Sequence, residues 1–243
     1  MNGTSTPGTY SSGNVLSFTT DRRAELGALM YTRDSRTFRY VKAGLVDLVP
    51  GNVIQAPAET VLHQNMTAVI TAVGARTISM TTGAANVAAN QYAGGWLIVD
   101  TDPGKGYAYP ISSHPALTGA GTLVVTLQPD ALVQVALTGV SRVTLIPNPY
   151  NGVIQSPITT LTGVVVGVAV AAIPASQYGW VQISGPGAVL VAGTPIVGSA
   201  VVVPGTVAGA VVADGGVAAT KVIGSMLQTG VNAKVGGVLL DIQ

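Results

Sequence analysis

Hydrophobic positions along this chain come in short bursts, and their spacing is that of β-strands. Thr37-Phe38-Arg39-Tyr40-Val41-Lys42-Ala43-Gly44 alternates, with Phe38 and Tyr40 on one face, and Asp34-Ser35 reads as the turn before it. The middle of the chain predicts strands over Ala68–Ile70, Arg76–Met80, Trp96–Val99, Tyr107–Ile111, Thr122–Leu127 and Ser141–Ile146. Val73-Gly74, Asp102-Pro103-Gly104 and Gly119-Ala120-Gly121 supply turns between them. The C-terminal third predicts Gly163–Val170, Gly179–Ile183, Ala188–Val191, Ser199–Val203, Ala208–Val212, Lys221–Leu227 and Gly236–Ile242. Breaks fall at Gly185-Pro186-Gly187, Pro204-Gly205, Asp214-Gly215-Gly216 and Thr229-Gly230, where Gly-Pro and Pro-Gly steps suit type II turns. Thr20 to Met30 is the one fair helix candidate, and Gly27 weakens it. The fold class is therefore all-β: a small barrel or sandwich with an inserted second β-domain and an extended N-terminal arm.

The insertion rests on an internal echo. Asn52-Val53-Ile54-Gln55-Ala56-Pro57 recurs as Gly152-Val153-Ile154-Gln155-Ser156-Pro157. A looser echo pairs Gln91-Tyr92-Ala93-Gly94-Gly95-Trp96 with Gln177-Tyr178-Gly179-Trp180 at a different offset, which excludes a solenoid of fixed period. The first echo is either a duplicated strand-turn unit or a barrel that the chain leaves after Pro57 and rejoins near Asn148. The second reading is preferred, because residues 58–147 carry a strand set of their own. The expected organisation is an arm over 1–20, a discontinuous barrel over 21–57 and 148–243, and an inserted domain over 58–147. Residues 1–14 are almost all Gly, Ser, Thr and Asn and lack the apolar content to order themselves.

Charge changes the picture. From Val143 to Ala213 there is no Asp, Glu, Lys or Arg, and charged residues make up 9% of the 243-residue chain. An average soluble domain holds roughly 25%. Catalysis needs titratable groups set close together, so this run argues against an enzyme. The net charge of +1 gives no nucleic-acid footprint, and so few charges remove the self-repulsion that keeps proteins monomeric. Charge concentrates between Asp21 and Asp47, where Arg22, Arg23, Arg33, Arg36, Arg39 and Lys42 face Asp21, Glu25, Asp34 and Asp47. These read as a solvated strand face or as an interface for acidic groups. With no cysteine, disulfides and thiolate sites are excluded. The polar first residues lack the pattern of a secretory signal, so synthesis in a cytoplasm is expected. The apolar windows Val164–Ile173 and Ile196–Ala213 suit a membrane helix poorly: the first is short and the second carries Pro204 and several glycines.

Candidate chemistry is sparse. His63 and His114 stand in no ligand spacing and read as hydrogen-bonded structural histidines. Asp100-Thr101-Asp102-Pro103-Gly104 lacks the later ligands of a calcium loop and reads as a turn. No cofactor or metal site is expected. Trp96, Trp180, Tyr178 and Tyr92 could present a sugar platform, but their apolar strand context favours core.

Three stretches carry a resemblance: Phe38–Gly44, Asn148-Pro149-Tyr150-Asn151-Gly152-Val153-Ile154-Gln155-Ser156-Pro157, and Gly167-Val168-Ala169-Val170 with Tyr178-Gly179-Trp180-Val181-Gln182. They resemble virion structural proteins of tailed bacteriophages, and the C-terminal third is similar to small β-barrel capsid decoration, or cement, proteins. The resemblance implies a non-enzymatic protein, made in the host cytoplasm, that sits on the outer capsid and bridges subunits of the major capsid protein. A flexible N-terminal arm would add to the shell. The inserted block departs from the smallest such proteins. Self-association, a trimer before a dimer, is expected from the uncharged valine-rich surfaces, with no nucleic-acid or membrane partner. Contact candidates are Tyr10, Leu16, Phe18, Arg22 and Arg23, with Leu16 or Phe18 anchoring the arm by strand addition. Alternatives are a tail-tube or fibre-base component, or a carbohydrate-binding β-domain using Trp96 or Trp180.

Overall fold

The computed structural model describes residues 15–203, 205–215 and 221–242. Its strands, in chain order, are β1 (Leu29–Tyr31), β2 (Thr37–Ala43), β3 (Val53–Gln55), β4 (Met66–Ala68), β5 (Thr77–Thr82), β6 (Trp96–Val99), β7 (Ala108–Ser113) and β8 (Gly121–Leu127). There follow β9 (Arg142–Ile146), β10 (Asn151–Gln155), β11 (Val165–Ala169), β12 (Tyr178–Val191), β13 (Ala200–Val203), β14 (Val212–Ala213), β15 (Lys221–Met226) and β16 (Lys234–Asp241). The protein is all-β, and helical structure among the described residues is confined to short 3-10 turns such as Val61–His63. The chain divides into two compact units. One comprises the residues up to Ala58 and from Pro149 onward, and Glu59–Asn148 forms the other.

In the first unit β2 pairs with β10, β10 with β3, β3 with β11, β11 with β12, and β12 returns to β2. That closes a five-stranded ring around Val41, Ala43, Ile54, Val153, Val166 and Val181. A narrow ring is filled by its own interior side chains, here mostly Val and Ala with Ile54. β12 runs on past the ring to pair with β16, and the sheet continues through β15, β13 and β14. Val211 bridges back to Val191, so this sheet too curls around a core, of Val189, Val191, Val201, Val203, Ile223, Val238 and Leu240. Each such side chain contributes about 1.5–3 kcal/mol relative to exposure.

The strand echo has a structural meaning. β3 and β10 lie antiparallel, with Ile154 opposite Gln55 and Gln155 opposite Ile54. The two copies of Val-Ile-Gln are thus neighbours related by a local two-fold. The chain leaves the ring at the end of β3 and returns at the adjoining start of β10.

Three expectations change. The break at Gly185-Pro186-Gly187 does not end a strand: β12 is continuous over 14 residues. Gly185 has φ +85°, where a side chain would strain the backbone. The buried Gln182 amide donates to the carbonyls of Ser184, Gly185 and Pro186, at 3.0, 3.3 and 2.9 Å. The strand bends over this amide while β16 stays paired from Ser184 to Val191. Thr20 to Met30 is not helical. Gly27 takes φ +87° against the Tyr150 ring, and the segment turns into β1. Between β1 and β2, Asp34 accepts hydrogen bonds from Arg36 and Thr32, which hold its carboxyl down at about 2. Of the expected strand Ala208–Val212, only Val212 lies in β14. Its start instead staples β3 to the turn after β10: Val53 N–H donates to the Gly209 carbonyl (2.8 Å), and Gly209 N–H donates to the Ser156 carbonyl (2.9 Å).

The second unit is a closed six-stranded barrel in the order β4-β5-β8-β7-β6-β9. Alternation places Ile78, Met80, Leu97, Ile111, Leu123, Val125 and Val143 inside. Its first and last strands meet, Met66 opposite Val143. Asp100, from the segment considered as a calcium loop, accepts a hydrogen bond from Thr144 Oγ1 at 2.7 Å. No cluster of three metal-ligating side chains occurs among the described residues.

Candidate interaction surface

The most distinctive surface lies on the outside of β12, β16 and β15. Strand alternation sends Val189, Val238, Leu240 and Met226 inward and leaves three rows facing out. Pro186, Leu239 and Ser225 form the first row. Ala188 and Gly237 form the second, which Leu227 completes through its N–H bond to the Gly237 carbonyl at 2.9 Å. Leu190 and Val235 form the third. No row contains a charge. Val235 is 52% exposed, Leu227 49%, Leu239 47%, and neighbouring Val222 46%. The centre, Ala188 beside Gly237, is low, and the larger side chains rise around it. Asp241 closes one end, with Lys221 nearby at the start of β15, and Lys234 stands at the other end.

The residues of this face are not singled out by sequence, since the break at Gly185-Pro186-Gly187 puts Pro186 in a turn and starts a separate strand at Ala188. The signal was nonetheless present. Val235-Gly236-Gly237-Val238-Leu239-Leu240 is apolar on both alternating faces, a pattern of strands covered on both sides. β16 is covered on one side only, by its own core.

The N-terminal segment is placed differently from the expected boundary. Tyr10 and the rest of 1–14 lie outside the described residues. Val15 through Thr20, assigned to the arm from sequence, belongs with the first unit. Val15 is 1% exposed and packs with Met30 and Phe38. Thr19 exchanges two 2.9 Å backbone hydrogen bonds with Tyr178. Leu16 and Phe18 alternate outward, 60% and 48% exposed. Arg22 donates to the Ala24 carbonyl at 3.0 Å and pairs with Glu25. The Arg23 N–H donates to the Tyr40 hydroxyl at 2.9 Å. Beside it Ser17, Thr19, Tyr178 and Trp180 help line a hollow of about 210 Å³. The structure thus gathers Arg23 with Tyr40, Tyr178 and Trp180, while Leu16, Phe18 and Arg22 face solvent wholly or in part.

The four candidate aromatics divide between the two units. Tyr178 and Trp180 belong to the first unit, Tyr92 and Trp96 to the second. Trp180 packs partly against the Val15, Met30 and Phe38 cluster, and Tyr92 is 1% exposed. Trp96, at 46%, stands open on the outer face of its barrel between Pro110 and Ile146.

Both histidines are hydrogen-bonded and interior. His63 Nδ1 lies 2.5 Å from the Tyr92 hydroxyl, and His114 Nε2 accepts the Tyr92 N–H at 2.9 Å. Burial holds the His63 imidazole below its ordinary value; the Ala85 carbonyl opposes that shift and His114 adds to it. Burial likewise pushes the Tyr92 phenol up, against a hydrogen bond from Thr60. The trio is 0%, 1% and 4% exposed, so it locks the Val61–His63 turn to the barrel and presents no open face.

Phe38–Gly44, residues 148–157, Gly167–Val170 and Tyr178–Gln182, far apart in sequence, supply β2, β10, β11 and the first half of β12, four strands of one five-stranded ring. No helix among the described residues is long and apolar enough to cross a membrane. Comparison with protein-family models, with curated proteins and with solved structures returns no match to this chain.

Proposed function

We propose that this chain is a non-enzymatic structural protein of a tailed-bacteriophage virion, one that binds the outer capsid surface and stabilises the shell by bridging subunits of the major capsid protein. The observation that carries the reading is the uncharged, exposed face of β12, β16 and β15. Contiguous exposed apolar patches on a sheet face often mark sites of protein–protein contact. The resemblance of the ring strands to virion proteins names the setting. In that setting the protein's work is mechanical: closed β-rings resist deformation, and surfaces without charge bury against neighbours with little desolvation penalty. Leu16 and Phe18, exposed at the start of the described chain, offer further apolar anchors on a capsid subunit.

The test is co-sedimentation of the purified chain with empty shells, followed by heating of the decorated shells. Saturable binding and a raised shell disruption temperature are expected. Shells that pellet without the protein, or decorate without gaining stability, overturn the reading. A second reading has one observation in its favour: the exposed Trp96 beside Pro110 and Ile146 is the flat apolar surface on which a sugar ring stacks. Glycan-dependent quenching of Trp96 fluorescence, with no shell binding, is the outcome that selects it.

A further inference from the structure

We propose that the hollow beside Arg23 is a binding pocket for one flat apolar ring that carries a carboxylate. That is the chemistry of an aromatic acid, either free or as the last residue of a protein chain. The inference goes beyond the virion reading, does not rest on it and is tested without shells.

The hollow forms where residues 15–30 pack against the outside of the five-stranded ring. Val41 and Val181 point into the ring's core, so alternation turns Tyr40 on β2 and Trp180 on β12 outward, with Tyr178 beside them. The Tyr40 ring lies 6.0 Å from that of Tyr178, nearly parallel at 10°, and 5.0 Å from that of Trp180, tilted at 59°. Met30 adds an apolar wall. Rings at two inclinations offer a further ring both offset-stacked and edge-to-face contact. The volume of about 210 Å³ is below the roughly 300 Å³ at which pockets for whole small molecules begin, so the space suits a single ring.

Charge selects what the ring carries. Aromatic rings alone would suit a cation, but two positive groups reverse that choice. Arg23 is the one charged residue lining the hollow, and its guanidinium makes no ion pair among the described residues. Lys42 Nζ stands 5.6 Å from the centre of the Tyr178 ring. Of the acids close in sequence, Glu25 is taken by Arg22 and Asp34 by Arg36, and the Asp21 side chain does not line the hollow. An open arginine fork matches a carboxylate with two parallel hydrogen bonds. The hydroxyls select against a neutral sugar, which needs several donors. Thr19 Oγ1 donates to the Asp21 carbonyl at 2.7 Å, so across its 3.3 Å contact with Tyr40 the tyrosine is the donor. The Tyr40 hydroxyl in turn accepts the Arg23 N–H at 2.9 Å. Both hydroxyl protons are thus directed into the protein.

Trp180 reports on the site. In a Trp96→Phe background it is the sole tryptophan, and its fluorescence is titrated with phenylacetate, N-acetyl-phenylalanine, N-acetyl-phenylalanine amide and glucuronate. Saturable quenching by the two aromatic acids is expected, with a dissociation constant on the order of 1 mM for ligands so small. Tighter binding of phenylacetate identifies a free acid as the ligand, and tighter binding of N-acetyl-phenylalanine a chain end. The amide lacks the charge and glucuronate lacks the apolar ring, so each is expected to bind at least about tenfold more weakly. Arg23→Gln changes an exposed side chain and is expected to weaken both acids about tenfold with an unchanged circular dichroism spectrum. Arg33→Gln removes the same charge from the turn between β1 and β2 and is expected to leave binding as it was. Absence of saturable quenching by either acid overturns the proposal. So does an amide or a glucuronate that binds as tightly as the acids, or a folded Arg23→Gln protein that binds like the parent. Any of these results leaves the virion reading standing, since no shell enters the experiment.

Discussion

Replacing Tyr92 with Phe tests whether the interior His63–Tyr92–His114 trio holds the second barrel together. The substitution keeps the ring, which is 1% exposed, and removes only the hydroxyl. That hydroxyl is the hydrogen-bond partner of His63 Nδ1, at 2.5 Å. The mutant therefore leaves Nδ1 of a wholly buried imidazole without its partner. An unsatisfied buried polar group costs about 1–3 kcal/mol. A central figure of about 2 kcal/mol corresponds to an opening equilibrium raised roughly 30-fold. Hydrogen exchange followed by mass spectrometry reads that directly, unit by unit. Amides of Leu97, Leu123 and Leu145 in the second barrel should exchange roughly 30-fold faster in Tyr92→Phe. Those of Phe38, Val41 and Val181 in the first unit should hold their native-state rates. Unchanged exchange in the second barrel would show that the hydroxyl contributes nothing net, and equal acceleration in both units would show that the effect is not local.

Acid should act on the same place. Because burial depresses the His63 value below the ordinary 6.5, the unfolded chain takes up the proton first. Stability is full above pH 6.5 and falls as pH drops from there toward the depressed folded value, so a melting series from pH 7.5 to 5 should show a decline that His63→Gln abolishes; a flat wild-type profile refutes it. The adjacency of β3 and β10 predicts that a short glycine linker replacing residues 58–147 leaves the five-stranded ring folded, with a β-type circular dichroism spectrum and cooperative melting. Loss of cooperativity would mean that the ring needs the inserted barrel.

The β class was legible because Val-rich bursts, Gly-Pro punctuation and the scarcity of charge leave little room for amphipathic helices. The strands of the second barrel were readable to within a residue or two, since their alternation is clean: Trp96–Val99 is β6 unchanged. Sequence failed where a side chain overrides a turn signal. Nothing in Gly185-Pro186-Gly187 shows that Gln182, several residues earlier, will satisfy three carbonyls and carry the strand through. It failed again at Thr20–Met30, where the contact of Gly27 with Tyr150 joins residues far apart in the chain. The outward face of β12 and β16 was hidden by the same misplaced break, which put Pro186 in a turn and split β12 into two strands.

The pairing of β3 with β10 also sets an order of events in time. β3 is complete at Gln55, yet its sheet neighbours, β10 and β11, are not made until after the whole inserted unit. At about 5–20 residues per second, a ribosome leaves β3 waiting for roughly 5–20 s, ample for a six-stranded barrel of local strands to close. Closure draws that barrel's own ends together, with the Asn65 N–H bonded to Thr144 Oγ1 at 2.9 Å. The loop that β10 must close to reach β3 then shrinks from about 100 residues to fewer than 20, lowering its entropic penalty by about 1.5 kcal/mol. The inserted barrel thus serves as a folding clasp for the unit that carries it. A lesion that delays its closure should slow formation of the ring without touching a single residue of the ring itself.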